Sequence, residues 1–183
     1  MPDEYLEMCN DFSNLISNES YISGNSVLEI LKKYSSTISV FDMMDFTSQI
    51  MKENQHVHKS YREDSEKSYI ESFLLRVNDI AKDDNEYQKN IDKNSFAESV
   101  EILKSHATDE TNATPCKVLL IFYMASIYAT YILEESIHSP GTLLPGSLKV
   151  KKENGIYYCP IKNADNEVPN AVCNMCLAEK LDF

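Results

Sequence analysis

The stretch that decides the fold is Val118–Leu133, VLLIFYMASIYATYIL, which carries no charge. It falls short of the roughly 20 apolar residues that cross a bilayer, and it contains Ser126, Thr130 and three tyrosines. It reads as a helix that is apolar on nearly every face, so other helices must cover it. Thr114 stands where an N-cap belongs. Pro115 falls at the first helical position, where a missing N–H costs nothing. The helix is expected to run to about Ile137, where Ser139-Pro140-Gly141 stops it.

On its N-terminal side the spacing predicts the cover. Tyr5, Cys9, Phe12 and Ile16 form one stripe, and Val27, Leu28, Leu31 and Tyr34 a second beyond the break at Gly24-Asn25. Ser39 caps a third helix, with Val40, Met43, Met44, Thr47, Ile50 and Met51 turned inward, continuing to the histidines at 56 and 58. Lys59–Lys67 reads as a polar connection. Ser68 with Glu71 is spaced as a capping box for a fourth helix bearing Phe73, Leu74, Val77, Ile80 and Ala81. Lys82–Asn94 reads as a loop. Ser95 with Glu98 suggests a second box, opening a short helix with Phe96, Val100 and Leu103.

After Gly141 the pattern changes. Pro145-Gly146 is a turn, and Ser147–Lys152 and Ile156–Cys159 alternate apolar and polar residues, joined by Glu153-Asn154-Gly155. Asn-Gly between two such runs is a strong hairpin signal. A loop through Pro169-Asn170 leads to Cys173-Asn174-Met175-Cys176, and a short helical turn, Leu177-Ala-Glu-Lys-Leu181, is expected to close the chain. The expected fold is mainly α: a helical bundle around a central apolar helix (115–137), with a small C-terminal β-hairpin and Cys-rich tail. Residues 1–137 form the bundle, and 138–183 pack on it within one compact domain.

Composition agrees. The chain has 183 residues, 43% of them hydrophobic, with 4 Gly, 6 Pro and no Trp. Scarce Gly and Pro disfavour a turn-rich all-β fold. The net charge of −12 falls entirely before His138, because the remainder holds five lysines against five acids. A field of that sign repels phosphate backbones, so nucleic acid is not an expected partner, and neither is a membrane. An unidentified protein is the partner class left. The acidic start MPDEYLEMCNDF lacks the basic, apolar pattern of a signal peptide, so the expected setting is cytoplasmic.

Five cysteines, at 9, 116, 159, 173 and 176, argue against a disulfide framework in a reducing compartment. Cys159, Cys173 and Cys176 have donor types and spacing that suit zinc, which takes four ligands in a tetrahedron. Lys162 stands where a second Cys-x-x-Cys would put its partner to Cys159. The fourth ligand must come from His138, from Cys116 or from water. A tail this small buries little apolar surface, and a metal would supply the missing cross-link. The plain alternative is reduced thiols packed against the bundle. A third reading is dithiol redox chemistry at Cys173 and Cys176, if a helix N-terminus lowers a thiol pKa.

A second constellation is Glu53-x-x-His56 with Glu135-x-x-His138. Two Glu-x-x-His pairs plus a carboxylate from each of two further helices make the di-iron or di-manganese site of ferritin-like bundles. Glu29 and Glu98 or Glu101 would be the extra carboxylates. Iron is therefore the competing cofactor, and an oxidoreductase the competing function.

The run His138-Ser-Pro-Gly-Thr-Leu-Leu-Pro-Gly146, then Tyr157-Tyr-Cys-Pro-Ile-Lys162 and Asn170-Ala-Val-Cys-Asn-Met-Cys-Leu-Ala178, resembles the C-terminal signature of an uncharacterised protein family of methanogenic archaea. That family joins a helical N-terminal part to a tail of the form His-Pro-x-Gly-Thr-Pro-Phe-Pro-Gly, Tyr-Tyr-Cys-Pro-Val-Lys and Asn-x-x-x-Cys-x-x-Cys. This chain departs at Ser139, Leu143 and Leu144 but keeps the histidine and the three cysteines. The resemblance implies a methanogen source and a cytoplasmic setting, and no established activity.

Overall fold

The computed structural model describes residues 4–108, 114–144, 148–162 and 171–180. The expected turn at Pro145-Gly146 and the loop at Pro169-Asn170 lie outside them. Six helices make up most of the fold: α1 (Glu4–Asn18), α2 (Gly24–Ser35), α3 (Val40–Glu53), α4 (Lys59–Lys82), α5 (Lys93–Thr108) and α6 (Cys116–Ile127), which continues as a π-helix over Tyr128–Leu133. Short strands join them: β1 (Ile22–Ser23), β2 (Asn90–Ile91), β3 (Leu143–Leu144), β4 (Leu148–Lys149), β5 (Lys151–Glu153), β6 (Ile156–Cys159) and β7 (Glu179–Lys180). The chain is a mainly helical bundle with a small C-terminal sheet, as the pattern indicates.

α6 is the centre. It packs against α1, α2, α3 and α4, and Leu120, Ile121, Met124, Ala125 and Ile127 are completely shielded. Cys116–Leu133 has the length and composition to cross a membrane, with a mean hydropathy of 1.7, yet 67% of it is buried in the bundle. Aromatic rings fix its contacts. Phe122 stacks on Phe73 of α4 at 4.9 Å, and Tyr123 on Tyr5 of α1 at 5.5 Å. Each buried large side chain contributes about 1.5–3 kcal/mol of transfer free energy, so this contact surface dominates the stability.

The Ser126, Tyr128 and Tyr131 hydroxyls of α6 find partners, which lets these polar groups sit in the core, whereas the Thr130 hydroxyl has none among the described residues. Tyr131 meets the Ser99 hydroxyl at 2.6 Å and donates to the Ser95 carbonyl at 2.9 Å. Tyr128 donates to Asp83 at 2.8 Å.

Several sequence expectations need correction. Pro115 is the N-cap of α6 rather than its first residue, and its carbonyl accepts the Val118 and Leu119 N–H groups. The helix ends at Leu133, not Ile137. The Glu134 and Glu135 N–H groups both return to the Ala129 carbonyl, and Glu134 adopts a left-handed φ of 55°. α4 begins at Lys59, nine residues ahead of the expected cap at Ser68. His58 caps it through its ring nitrogen, and Arg62 donates back to the Val57 carbonyl. The polar composition of 59–67 hid this turn, because charged residues satisfy a half-exposed helix as well as a loop. Asp92, not Ser95, caps the start of α5, accepting the Ser95 N–H at 2.7 Å.

α3 is the largest reassignment. Its capping box is Ser39 with Asp42, but Phe46 and Ile50 carry the buried face. Val40, Met44 and Met51 are 69, 59 and 51% exposed. The helix is apolar on two sides, and periodicity alone does not choose between them. Gly24 is the first residue of α2 rather than a break. A Cβ there would sit 2.6 Å from the Tyr87 Cβ, so only glycine lets residues 87–91 lie alongside and pair β2 with β1.

The expected hairpin is present. Lys151–Glu153 pairs antiparallel with Ile156–Cys159, and Asn154 and Gly155 both take the positive φ that such a two-residue turn requires. Glu179–Lys180, expected to lie in a helical turn, is a strand parallel to β6. Leu144, Val150, Tyr157, Cys159 and Ala178 form a small second core, to which Cys176 adds its side chain while also touching the main one.

Candidate thiol site

The hairpin, the Cys-x-x-Cys turn and the segment after α6 converge at Cys159 and Cys176. Cys159 ends β6 and is 5% exposed. Its sulfur accepts hydrogen bonds from the backbone N–H groups of Ile161 and Lys162, and Cys176 lies close enough to act on it electrostatically. Burial pushes the Cys159 thiol above its ordinary pKa. The N–H groups and the Lys162 charge oppose that shift, and Cys176 adds to it. The protonated thiol is therefore the stable form unless something replaces the proton.

Cys173 and Cys176 bracket a single tight turn in which the Cys176 N–H reaches the Cys173 carbonyl at 3.2 Å. The Cys176 sulfur in turn accepts the Ile137 N–H at 3.4 Å. The backbone just before His138 thus touches the thiol turn. The His138 ring is buried against Tyr69 and Phe73 of α4, with centroids 5.2 and 5.8 Å away.

Cys116 stands at the opposite end of α6, about 25 Å along the helix axis from Leu133 at 1.5 Å per residue. Of the two side chains considered as a fourth ligand, only His138 lies at the end of the molecule where Cys176 sits. Cys9 is a core residue of α1. Among the described residues, no three His, Cys, Asp or Glu side chains gather around one point.

Lys162 is the residue that the sequence reading passed over. Its ammonium group donates to the carbonyls of Cys173 and, at 2.8 Å, Cys176. It ties the Cys159 turn to the Cys173–Cys176 turn where a fourth cysteine was missed. A lysine two residues beyond Cys-Pro is a signal the sequence did offer.

The carboxylate constellation lies apart. Glu53 is exposed at the end of α3 and bonded to Gln49, and His56 is exposed in the 3₁₀ turn that follows. Glu135 pairs with Arg76 at 3.3 Å. Because the helix stops at Leu133, Glu135 and His138 do not share a helical face. Glu29, Glu98 and Glu101 are exposed on α2 and α5. The premise that a redox Cys-x-x-Cys opens a helix also lacks its helix, since 176–178 is irregular and 179–180 is strand.

A helical bundle carrying a thiol-rich hairpin segment is the class of protein that these features define. Residues 23–181 match the family described as "Uncharacterized protein conserved in archaea (DUF2115)", and the chain belongs to it. A UPF0305 protein of Methanothermobacter thermautotrophicus is 26% identical over 152 residues, covering 83% of this chain and 93% of the relative. One of Methanopyrus kandleri is 32% identical over 124 residues, covering 67% and 85%. One of Methanocaldococcus jannaschii is 24% identical over 168 residues, covering 88% and 98%. No solved structure matches. The family assignment agrees with the resemblance drawn from the tail, and the relatives come from methanogens.

Proposed function

We propose that the segment from His138 onward is a zinc-binding element that fastens the hairpin to the bundle, and that the chain acts as a cytoplasmic binding module for a protein partner. The observation that carries this reading is the environment of Cys159. Two backbone N–H groups point at a buried sulfur with a second cysteine beside it. Backbone donors of that kind stabilise a thiolate, and zinc is the partner that removes the proton from a buried thiol. Cys173, at the other end of the Cys176 turn, supplies the third sulfur, and His138 the fourth ligand. Three thiolates and one zinc leave a charge of about −1, which the Lys162 ammonium offsets. Sulfur-rich donors favour zinc over the hard-oxygen metals. The small second core has five buried residues among those described, and a core of that size gains from a cross-link that holds the hairpin.

Metal content, measured by mass spectrometry on untagged protein purified without oxygen, tests the reading. The expected result is roughly one zinc per chain, lost when Cys159, Cys173 and Cys176 are all changed to Ser. Absence of metal from both proteins would end the zinc proposal. Iron retained by the variant would also end it, and would direct attention to Glu53, His56, Glu135 and His138.

A further inference from the structure

The outer face of α3 is apolar and exposed. Phe46 and Ile50 are its buried residues. At about 100° per residue, the opposite side of the helix is centred on Ser48, with Phe41, Met44 and Met51 around it and Val40 at the edge. Phe41 is 77% exposed, Val40 69%, Met44 59% and Met51 51%. Nine large hydrophobic side chains are exposed among the described residues, and these four fall between positions 40 and 51 of one helix. Apolar residues scattered singly on a surface need no explanation, but a contiguous patch marks an interaction site.

Two charges on the same face select what covers it. Asp45 and Lys52 flank Ser48 and Phe41, are both exposed, and stand two turns apart, about 10 Å along the axis. Neither is in an ion pair among the described residues. The other charges of α3 lie elsewhere. Asp42 belongs to the capping box with Ser39, Glu53 accepts from Gln49, and both stand more than about 90° round the helix from Ser48. A covering surface must therefore be apolar in its middle, with an ammonium group and a carboxylate about 10 Å apart along one edge. α3 turned end for end is such a surface.

We propose that two copies of this chain pair through the outer face of α3, antiparallel about a two-fold axis near Thr47 and Ser48. Met44 of each copy then lies level with Met51 of the other, and each Lys52 stands about 3 Å along the axis from the other copy's Asp45, within side-chain reach. A parallel pairing would set Asp45 against Asp45. The small Ser48 side chain near the axis lets the helices approach to about 8–10 Å. The pairing uses the same patch on both copies, so it closes at two. One helix from each copy makes a small interface, which sets the affinity in the micromolar range. The surface involves neither the thiols nor a metal, so it stands or falls apart from the zinc reading.

The test is sedimentation equilibrium of the full chain across a concentration series, with a non-thiol reductant present to prevent disulfide-linked pairs. A monomer–dimer equilibrium is expected, with a dissociation constant at or below about 100 µM. Met44→Glu places an unpaired charge in the contact and should weaken association at least about tenfold. Asp45→Lys and Lys52→Asp each set like charges against one another and should each cost about threefold to tenfold. Asp45→Lys does so while lowering the overall negative charge, which separates this effect from general repulsion. The double variant with both changes keeps the net charge of −12 and exchanges the two partners, so it should return to within about threefold of wild type. All three positions are exposed, and far-ultraviolet circular dichroism verifies that each variant is folded. A monomer at every concentration would overturn the proposal. So would a dimer that Met44→Glu leaves intact, or a double variant no tighter than its single parents.

Discussion

Asp83 closes α4 and is 7% exposed. It accepts hydrogen bonds from the Tyr128 hydroxyl at 2.8 Å, the Tyr87 hydroxyl at 2.9 Å and both the backbone and side-chain nitrogens of Asn85. Burial pushes its carboxyl up, but the bonds from Tyr128, Asn85 and Tyr87 outweigh burial and hold it below its ordinary pKa. The sign of the pH effect follows. A depressed folded pKa contributes stability that is complete above about pH 4 and is lost as pH falls through the lowered value. Asp83→Asn is expected to lose about 1–3 kcal/mol at pH 7, with the gap to wild type narrowing below about pH 4. Urea unfolding at pH 7 and at pH 3 measures both, and an undiminished gap at pH 3 would show that the charge is not the cause. No sequence pattern marked Asp83. It looked like one acid among several in a polar loop, and its partner on α6, Tyr128, is 45 residues away. Cys159 and Cys176 were readable as neighbours, because cysteines are rare enough for spacing alone to be informative. The Lys162 bridge was legible only as a lysine two residues beyond Cys-Pro, and the burial of Arg76 was not legible at all, since any surface could carry a lone Arg.

At the scale of elements, the end of α6 is the instructive case. Stop signals placed it near Ile137, where Ser-Pro-Gly begins. The helix instead widens to π geometry after Ile127 and ends at a left-handed Glu134. This shortening turns Glu135 and Ser136 toward Arg76 and presents the Ile137 N–H to Cys176. Left-handed backbone costs a non-glycine residue about 1 kcal/mol, and the exposed Lys89–Glu134 pair at 2.9 Å returns less than that. Glu134→Gly is therefore expected to raise stability by about 0.5–1 kcal/mol. A lower denaturation midpoint would mean that the helix end is held by something other than backbone geometry. The hairpin turn, by contrast, was legible, because Asn154-Gly155 accepts a conformation that few other pairs tolerate, although the first arm is Lys151–Glu153, with Glu153 in the strand rather than in the connection, and Leu148–Lys149 pairs with β3 instead. α3 was legible as a helix but not in orientation. It offers apolar residues on two sides, and the neighbours that cover Phe46 and Ile50 belong to α4 and α6.

At the scale of the whole molecule, charge is the dominant unbalanced quantity. The net charge of −12 is confined to residues before His138, so compact packing holds like charges together. Raising sodium chloride from about 0.05 to about 0.5 M shortens the screening length from roughly 14 to 4 Å. The thermal midpoint is expected to rise by about 2–4 °C. A fall would show that specific surface ion pairs outweigh the general repulsion. Local sequence accounts for the mainly helical class, the central position of 118–133 and the hairpin turn. Each follows from local chemistry: an apolar run must be covered, and a positive φ must be accommodated. The tertiary structure alone decided which face of α3 is buried, where α6 stops, that Lys162 bridges the two cysteine turns, and that Arg76 lies buried. Those outcomes depend on which distant segments pack together, and periodicity along one chain does not encode that choice.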